Sequence, residues 1–445
     1  MSAGGETIAA LATPPGRGGI GVVRVSGPRA ALIARAITGI EPKLRHAQLA
    51  TFRAADGNPI DRGIALFFVA PQSYTGEDVL ELQGHGGPMV MRQLVARCFE
   101  LGARAARPGE FTERAFLNER IDLAQAESVA DLIDAASIEA ARGAARSLTG
   151  EFSRRVADLV DALVRLRVHV EACIDFPEEE IDPEDLASQA RSLDALMATL
   201  DGVLAEAKQG VVLREGLTVV LVGEPNVGKS SLLNRLARQE VAIVTPIAGT
   251  TRDYVRATIA LEGVPIHLID TAGLREARDE VERIGIERAW KAVGNAGAVV
   301  LVRQAGVPGG IGRDLEERLP RGVPRVHVLN KIDLLGREAG VASRDGVEEI
   351  GLSALTGAGV EALEAWLLKA AGWQPHGEGL FMARARHVDA LRTARTHLAA
   401  AAIEQAFELK AEELRLAQRA LGSITGEVSA DALLGRIFAS FCIGK

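Results

Sequence analysis

A near-continuous apolar run, Leu217–Val222 (LTVVLV), leads straight into Gly223–Ser230 (GEPNVGKS), and a helical run, Ser231–Arg238, follows. That order leaves little freedom of fold. A strand so uniformly apolar is buried on both faces, as in parallel α/β sheets. The segment after it fits G-x-x-x-x-G-K-[ST], whose backbone N–H groups and helix N-terminus together form an anion cradle. In that context Lys229 reaches the β- and γ-phosphates of a nucleotide and Ser230 ligates Mg²⁺. Asn226, Val227, Gly228 and Ser231 complete the expected loop contacts.

Three further short motifs follow in order, two of them directly after apolar runs. Asp270–Gly273 (DTAG) ends Ile266–Ile269. Its aspartate is suited to hold Mg²⁺ through water, with Thr271 and Ala272 leading to the Gly273 amide at the γ-phosphate. Asn330–Asp333 (NKID) ends Val326–Leu329. The Asp333 carboxylate accepts from the N1 and N2 donors of guanine, a pair that adenine lacks, while Asn330 and Lys331 frame the base. Ser353, Ala354 and Leu355 (SAL) stand where a backbone amide meets the guanine carbonyl. Four such motifs in one order point to a GTPase.

Between the first two motifs lies Thr245–Asp253 (TPIAGTTRD). It reads as the switch segment, with Thr245, Pro246, Ile247, Ala248, Gly249, Thr250 and Thr251 near the phosphates and Thr251 completing the Mg²⁺ shell. NVGKS, IAGTTRD and DTAG together resemble the GTPase class that includes Era and EngA. Leu274 follows DTAG, where Ras-like proteins place a water-orienting glutamine. A leucine cannot do this. The carboxylate-rich segment that follows offers substitutes, and spacing alone does not choose among Glu276, Glu280 and Glu282.

The flanks differ in texture. Residues 1–118 are glycine-rich, with strand-like runs at Ile20–Val25 and Gly63–Val69 and a helix from Pro88 to Leu101, which reads as an α+β domain. From 119 to 215 the chain is alanine-rich and helical; Phe152, Val156, Leu159, Leu163, Leu166 and Val170 form one buried helical stripe. The acidic Pro177–Asp185 stretch reads as a solvated loop. Helical texture returns from 374 to 445, so the α/β G domain, residues 216–373, reads as an insertion into a discontinuous all-α domain. The fold class is therefore multidomain.

The 445 residues suffice for two or three domains. A net charge of −8 argues against a broadly basic nucleic-acid surface but leaves a local patch open. Three scattered cysteines, Cys98, Cys173 and Cys442, form no metal spacing and suit a reducing compartment. With no spanning run and no secretory signal, the expected address is the cytoplasm, without membrane insertion.

Outside the G motifs, TPPGRGGIGVVRVSG at Thr13–Gly27, TGEDVLELQGHGG at Thr75–Gly87, RPGEFTERAFLNERIDLAQAE at Arg107–Glu127, DEVERIGIERA at Asp279–Ala289 and the terminal LLGRIFASFCIGK are specific. Through them the full length resembles the MnmE (TrmE) family of bacterial tRNA-modification GTPases. The resemblance implies an N-terminal folate-binding, dimerising domain, a discontinuous helical domain and an inserted Ras-like G domain. It implies a homodimer that joins an FAD-dependent partner, MnmG (GidA), in a heterotetramer. That assembly installs a carboxymethylaminomethyl-type group at carbon 5 of the wobble uridine in certain tRNAs. The one-carbon unit comes from a tetrahydrofolate derivative, 5-formyl or methylene.

The resemblance also accounts for Leu274. It implies G domains that pair across their nucleotide faces around K⁺, held by the Asn226 side chain and by Thr245, Ile247 and Thr250. Ile247 can contribute only its carbonyl, a normal ligand for a hard cation. It makes Glu282 the water-orienting, catalytic carboxylate. For folate it implies Arg24, Glu81, Arg120 and Lys445: a carboxylate reads the pterin edge and basic groups take the anionic tail. Two positions depart from the family pattern: Arg120 stands where lysine is common, and Pro246 replaces a common switch-loop aspartate. Cys442 has little to lower its pKa and is expected to be a buried, apolar residue. The rival reading is an Era-like ribosome-assembly switch, but the segment after the G domain has no basic cluster. The ELQGHGG and FCIGK segments have no role in such a protein.

Overall fold

The computed structural model describes residues 5–175, 182–224, 226–239, 257–270, 294, 296–307, 322–344, 346–374, 379–427, 431–442 and 444. The chain forms two compact units. One comprises Met1–Ala130, Leu148–Leu193 and Thr396–Lys445; the other comprises Asp131–Ser147 and Asp194–Arg395.

The first unit is built on a sheet of β1 (Ile8–Leu11), β2 (Gly18–Ser26), β3 (Gln48–Arg53), β4 (Pro59–Phe68), β5 (Val79–Gly86) and β6 (Arg104–Ala105). Their order is β3-β4-β5-β2-β1-β6, antiparallel except for β1 with β6. Period-two alternation divides β2 between the faces. Val23 and Val25 join Leu80, Leu82 and the apolar sides of α1 (Ala30–Thr38) and α2 (Pro88–Glu100) in one core. Ile8, Ala10, Ala106 and Phe111 form another core with α3 (Glu110–Leu117).

The helices α4 (Leu123–Ile133), α5 (Ile138–Leu148), α6 (Glu151–Asp175) and α7 (Pro183–Glu215) follow. The expected stripe from Phe152 to Val170 is the buried face of α6, which packs along α11 (Phe407–Thr425). The acidic stretch is only partly a loop. Pro183, Glu184 and Asp185 form the first turn of α7, because proline suits that turn and the Asp182 carboxylate accepts from the Glu184 amide at 2.9 Å. Residues 177–181 lie outside the described residues.

The sheet of the second unit runs β12-β13-β11-β10-β7-β9-β8. Its strands are β7 (Leu217–Val222), β8 (Ala257–Leu261), β9 (Val264–Asp270), β10 (Ala298–Gln304), β11 (Arg325–Asn330), β12 (Gly340–Arg344) and β13 (Val347–Gly351). The five inner strands are parallel, and β8 and β12 are antiparallel edges. Leu232 and Leu236 of α8 (Lys229–Gln239) and Trp366 and Leu367 of α9 (Val360–Ala370) cover the core. The sheet thus lies in the chain between helical segments, α7 before it and α10 (Ala385–Ile403) after it, with α12 (Asp431–Ala439) near the C-terminus. Among the described residues no helix is long and apolar enough to cross a membrane.

Candidate functional site

In an open parallel sheet, ligands sit beyond the carboxyl ends of the strands. Here β7 delivers the phosphate loop, β9 ends on Asp270 and β11 ends on Asn330. The loop turns sharply: Asn226 has φ 61° and Gly228 has φ 95°. A Cβ on Gly228 would strike the Asn330 side-chain amide, so this position requires glycine for space as well as for φ. Lys229 opens α8 and is buried; its ammonium donates to the Gly223 carbonyl at 2.7 Å and the Glu224 carbonyl at 2.9 Å. Ser230 and Ser231 are exposed in the same first turn, where unpaired amides and the helix dipole favour an anion.

Asn330 ties three of the predicted motifs together. It is 1% exposed. Its Nδ2 donates to the Val227 carbonyl at 2.8 Å, and its Oδ1 accepts from the Lys331 amide at 2.8 Å and the Ala354 amide at 3.0 Å. Lys331, at φ 66°, donates from Nζ to the Asn226 carbonyl at 2.6 Å and to Gln304 at 3.1 Å. Asp333 lies in the 3-10 turn Ile332–Leu335, and among the described residues its buried Oδ1 has no hydrogen-bond partner. An orphaned buried acceptor is costly unless something donates to it. The N1 and N2 donors of guanine fit that requirement.

Ser353 is fully buried, and its hydroxyl accepts from the Thr356 amide at 3.2 Å. Arg235 of α8 donates from Nε to the Ala354 carbonyl at 3.1 Å and also reaches the Leu355 carbonyl, fixing the loop on which Leu355 is exposed. Arg235 and Gln304 were not among the residues expected from motifs. Neither belongs to a motif, and only the fold brings Arg235 to these carbonyls and Gln304 to the Lys331 ammonium. The Asp270 backbone pairs with Leu221. Thr245, Pro246, Ile247, Ala248, Gly249, Thr250, Thr251, Thr271, Ala272, Gly273, Leu274, Glu282 and Lys445 lie outside the described residues.

A second constellation occupies the first unit. Arg24 on β2 and Glu81 on β5 are directly opposite in register. The guanidinium donates from Nε to Glu81 Oε1 at 3.0 Å and lies 5.3 Å from the Tyr74 ring centre and 5.8 Å from that of Phe111. Both side chains of the pair keep about a fifth of their surface open, at 21% and 18%. Tyr74 shares a 2.8 Å hydrogen bond with the Thr112 hydroxyl, and burial pushes its phenol above the usual range. Tyr74 and Phe111 are the partners that motif reading missed.

Arg120 is exposed, and its stem runs beside Gly76, two residues from Tyr74. It makes no described contact with the Arg24–Glu81 pair. The C-terminal segment closes on the same sheet: a Cβ on Gly444 would collide with the Leu11 carbonyl on β1. Cys442 is exposed rather than buried. Its carbonyl accepts from the Gly109 amide at 3.3 Å, and Phe441 takes the buried position instead.

The same unit holds a largely buried charge network. Ser26 shares hydrogen bonds of 2.7 Å with Thr75 and with Glu77. Glu77 accepts from Arg114 at 2.8 Å, and Arg114 also meets Glu110 at 3.2 Å. Burial alone would raise the Glu110 carboxyl, but hydrogen bonds from Arg104, the Arg107 amide and Arg114 bring it down to about 2.

The family model for the N-terminus of GTP-binding protein TrmE matches residues 7–120, and that for the MnmE helical domain matches residues 123–442. A protein named tRNA modification GTPase MnmE from Thiobacillus denitrificans is 60% identical, over 99% of this chain and 98% of its own. Its namesake from Aromatoleum aromaticum is 57% identical over the same shares. A Neisseria meningitidis protein of that name is 58% identical over the full length of both chains. Matches that span the whole chain at this identity leave one assignment: the chain belongs to the MnmE family.

Proposed function

We propose that this protein is a GTP hydrolase acting in tRNA modification, as the names of its relatives state of them. The observation that carries the reading is the Asp333 acceptor, buried and unpaired among the described residues, beside the Asn330 hub. In the proposed cycle, Asp333 selects guanine and Lys229, released from its loop carbonyls, neutralises the phosphates. Ser230, Thr251 and Asp270 hold Mg²⁺. Asn226, Thr245, Ile247 and Thr250 would hold K⁺, which would supply positive charge to the phosphates. Glu282 orients the attacking water.

The proposed organisation has three domains: residues 1–118, then the helical halves 119–215 and 374–445, with the G domain 216–373 inserted. In the first, Glu81 reads the pterin edge of a tetrahydrofolate derivative, and Arg24, Arg120 and Lys445 take its anionic groups. The Arg24–Glu81 pair then has to open, and the Tyr74 and Phe111 faces hold the guanidinium as it does. The proposed assembly is a homodimer with the FAD-dependent MnmG partner in the cytoplasm. The product is a carboxymethylaminomethyl-type group on carbon 5 of a tRNA wobble uridine.

Mass analysis of tRNA nucleosides from a strain lacking this protein tests the reading. Unmodified wobble uridine, restored by the intact gene, is the expected result. Unchanged nucleosides would remove the modification function.

A further inference from the structure

The β8–β9 hairpin has an unusual position in the chain. It begins one residue after the 240–256 segment that carries Thr245–Asp253, and it ends on Asp270 of DTAG. Its body is therefore the direct covalent link between the two segments that answer to the γ-phosphate, on the GTPase reading given above. Its far end is a two-residue turn, with Leu261 paired to Val264 and both turn residues at positive φ: Glu262 at 46° and Gly263 at 84°.

That turn is held from outside the sheet, within the same unit. Ser137 precedes α5 and is buried. Its hydroxyl does two things at once: it accepts from the Ala140 amide at 3.0 Å, capping α5, and donates to the Gly263 carbonyl at 2.6 Å. A Cβ on Gly263 would lie 2.5 Å from Glu139 Cβ, so α5 sits directly on the turn. Trp373 donates from its indole nitrogen to Glu262 at 3.0 Å. The first buried turns of α5 share the hairpin's core, with Ala140 and Ala144 packed in the cluster that holds Ile259, Leu261 and Val264.

The other end of α5 is bonded to the chain that leads into α10. Met382 donates its amide to the Gly143 carbonyl at 3.2 Å, and Ser147 donates to the Met382 carbonyl at 2.9 Å. α5 is thus a short bar, fastened at one end to the hairpin turn and at the other to the segment entering α10.

We infer that Ser137, Glu139 and Trp373 clamp the Glu262–Gly263 turn and thereby position α5 according to the nucleotide state, transmitting hydrolysis to the helical segments and the modification step. These are positioning residues; none touches nucleotide. The inference rests on the GTPase reading, and the test separates the two. GTP turnover and modified uridine are measured together for the full chain with its FAD-dependent partner and tRNA. Ser137→Asp keeps an acceptor for the α5 cap but cannot donate to Gly263. Trp373→Phe keeps the ring and removes the donor. Ser137→Thr keeps both functions of the hydroxyl.

The expected result is GTP turnover within about twofold of wild type in all three. Modified uridine per GTP hydrolysed falls about fivefold or more in Ser137→Asp and Trp373→Phe, and Ser137→Thr rescues it. Thermal unfolding close to that of wild type shows that the loss is one of coupling. A ratio unchanged from wild type in both variants overturns the inference, whether or not turnover itself has fallen. A wild-type protein without GTP turnover would instead overturn the GTPase reading.

Discussion

Asn330 Nδ2 donates to the Val227 carbonyl across 103 residues of sequence, at 2.8 Å and out of solvent. The same side chain takes the Ala354 amide. The NKID and SAL loops and the phosphate loop are therefore one hydrogen-bonded body rather than three neighbouring loops.

Removing that side chain should loosen all three. Asn330→Ala leaves the Val227 carbonyl and the Ala354 amide buried without this partner, at about 1–3 kcal/mol per group. Titration with a fluorescent GTP analogue should show affinity reduced roughly tenfold or more, with a lower unfolding temperature. Wild-type affinity would mean that the hub does not order the site.

Asp333 supports a sharper prediction, because in the proposed cycle its carboxylate selects the base. Asp333→Asn exchanges one acceptor for a donor, against the guanine N1 and N2 donors. Loss of charged hydrogen bonds worth about 3 kcal/mol predicts roughly 100-fold weaker GTP binding. Xanthosine triphosphate, which presents a carbonyl in place of the amine, should bind the variant better than GTP does. Competition binding with both nucleotides reads the ratio directly, and an unaltered preference for GTP would rule out Asp333 as the base reader.

Glu110 sets an acid limit on the first unit. Its folded-state carboxyl lies at about 2, below the ordinary 4.5. A depressed carboxyl contributes stability above its unfolded value and loses it as pH falls through the folded one. The contribution, on the order of 3 kcal/mol, should be complete above about pH 4.5 and vanish towards pH 2. Glu110→Gln should lower stability at pH 7 and flatten the decline of wild-type stability between those pH values. Urea unfolding at several pH values measures both; parallel curves for the two proteins would contradict the assignment.

Local pattern carried much of the architecture into view. The run Leu217–Val222 is β7 to the residue, and the heptad-like stripe is the buried face of α6, as its spacing required. These features depend on neighbours within a few residues. The Arg24–Glu81 pair joins positions 57 residues apart, and only the β2–β5 register makes them opposite. Tyr74 and Phe111 reach Arg24 from a loop and a helix that no spacing links. Cys442 shows the limit at a chain end. Beyond α12 no periodicity says which side chain turns inward, and Phe441, with more apolar surface to bury, takes that place. Pro183 was legible in principle, since proline after a capping aspartate marks a helix start, but the run of acids around it masked the signal.

In the proposed cycle GTP hydrolysis depends on a bound cation held by the phosphate loop and switch segment. The most direct test is steady-state GTP turnover in potassium chloride and in sodium chloride at matched ionic strength, for the wild type, Asn226→Ala and Glu282→Ala. Wild-type turnover should be at least about tenfold faster in potassium, Asn226→Ala should lose that preference, and Glu282→Ala should turn over slowly with intact GTP affinity. Equal wild-type rates in the two salts would contradict it.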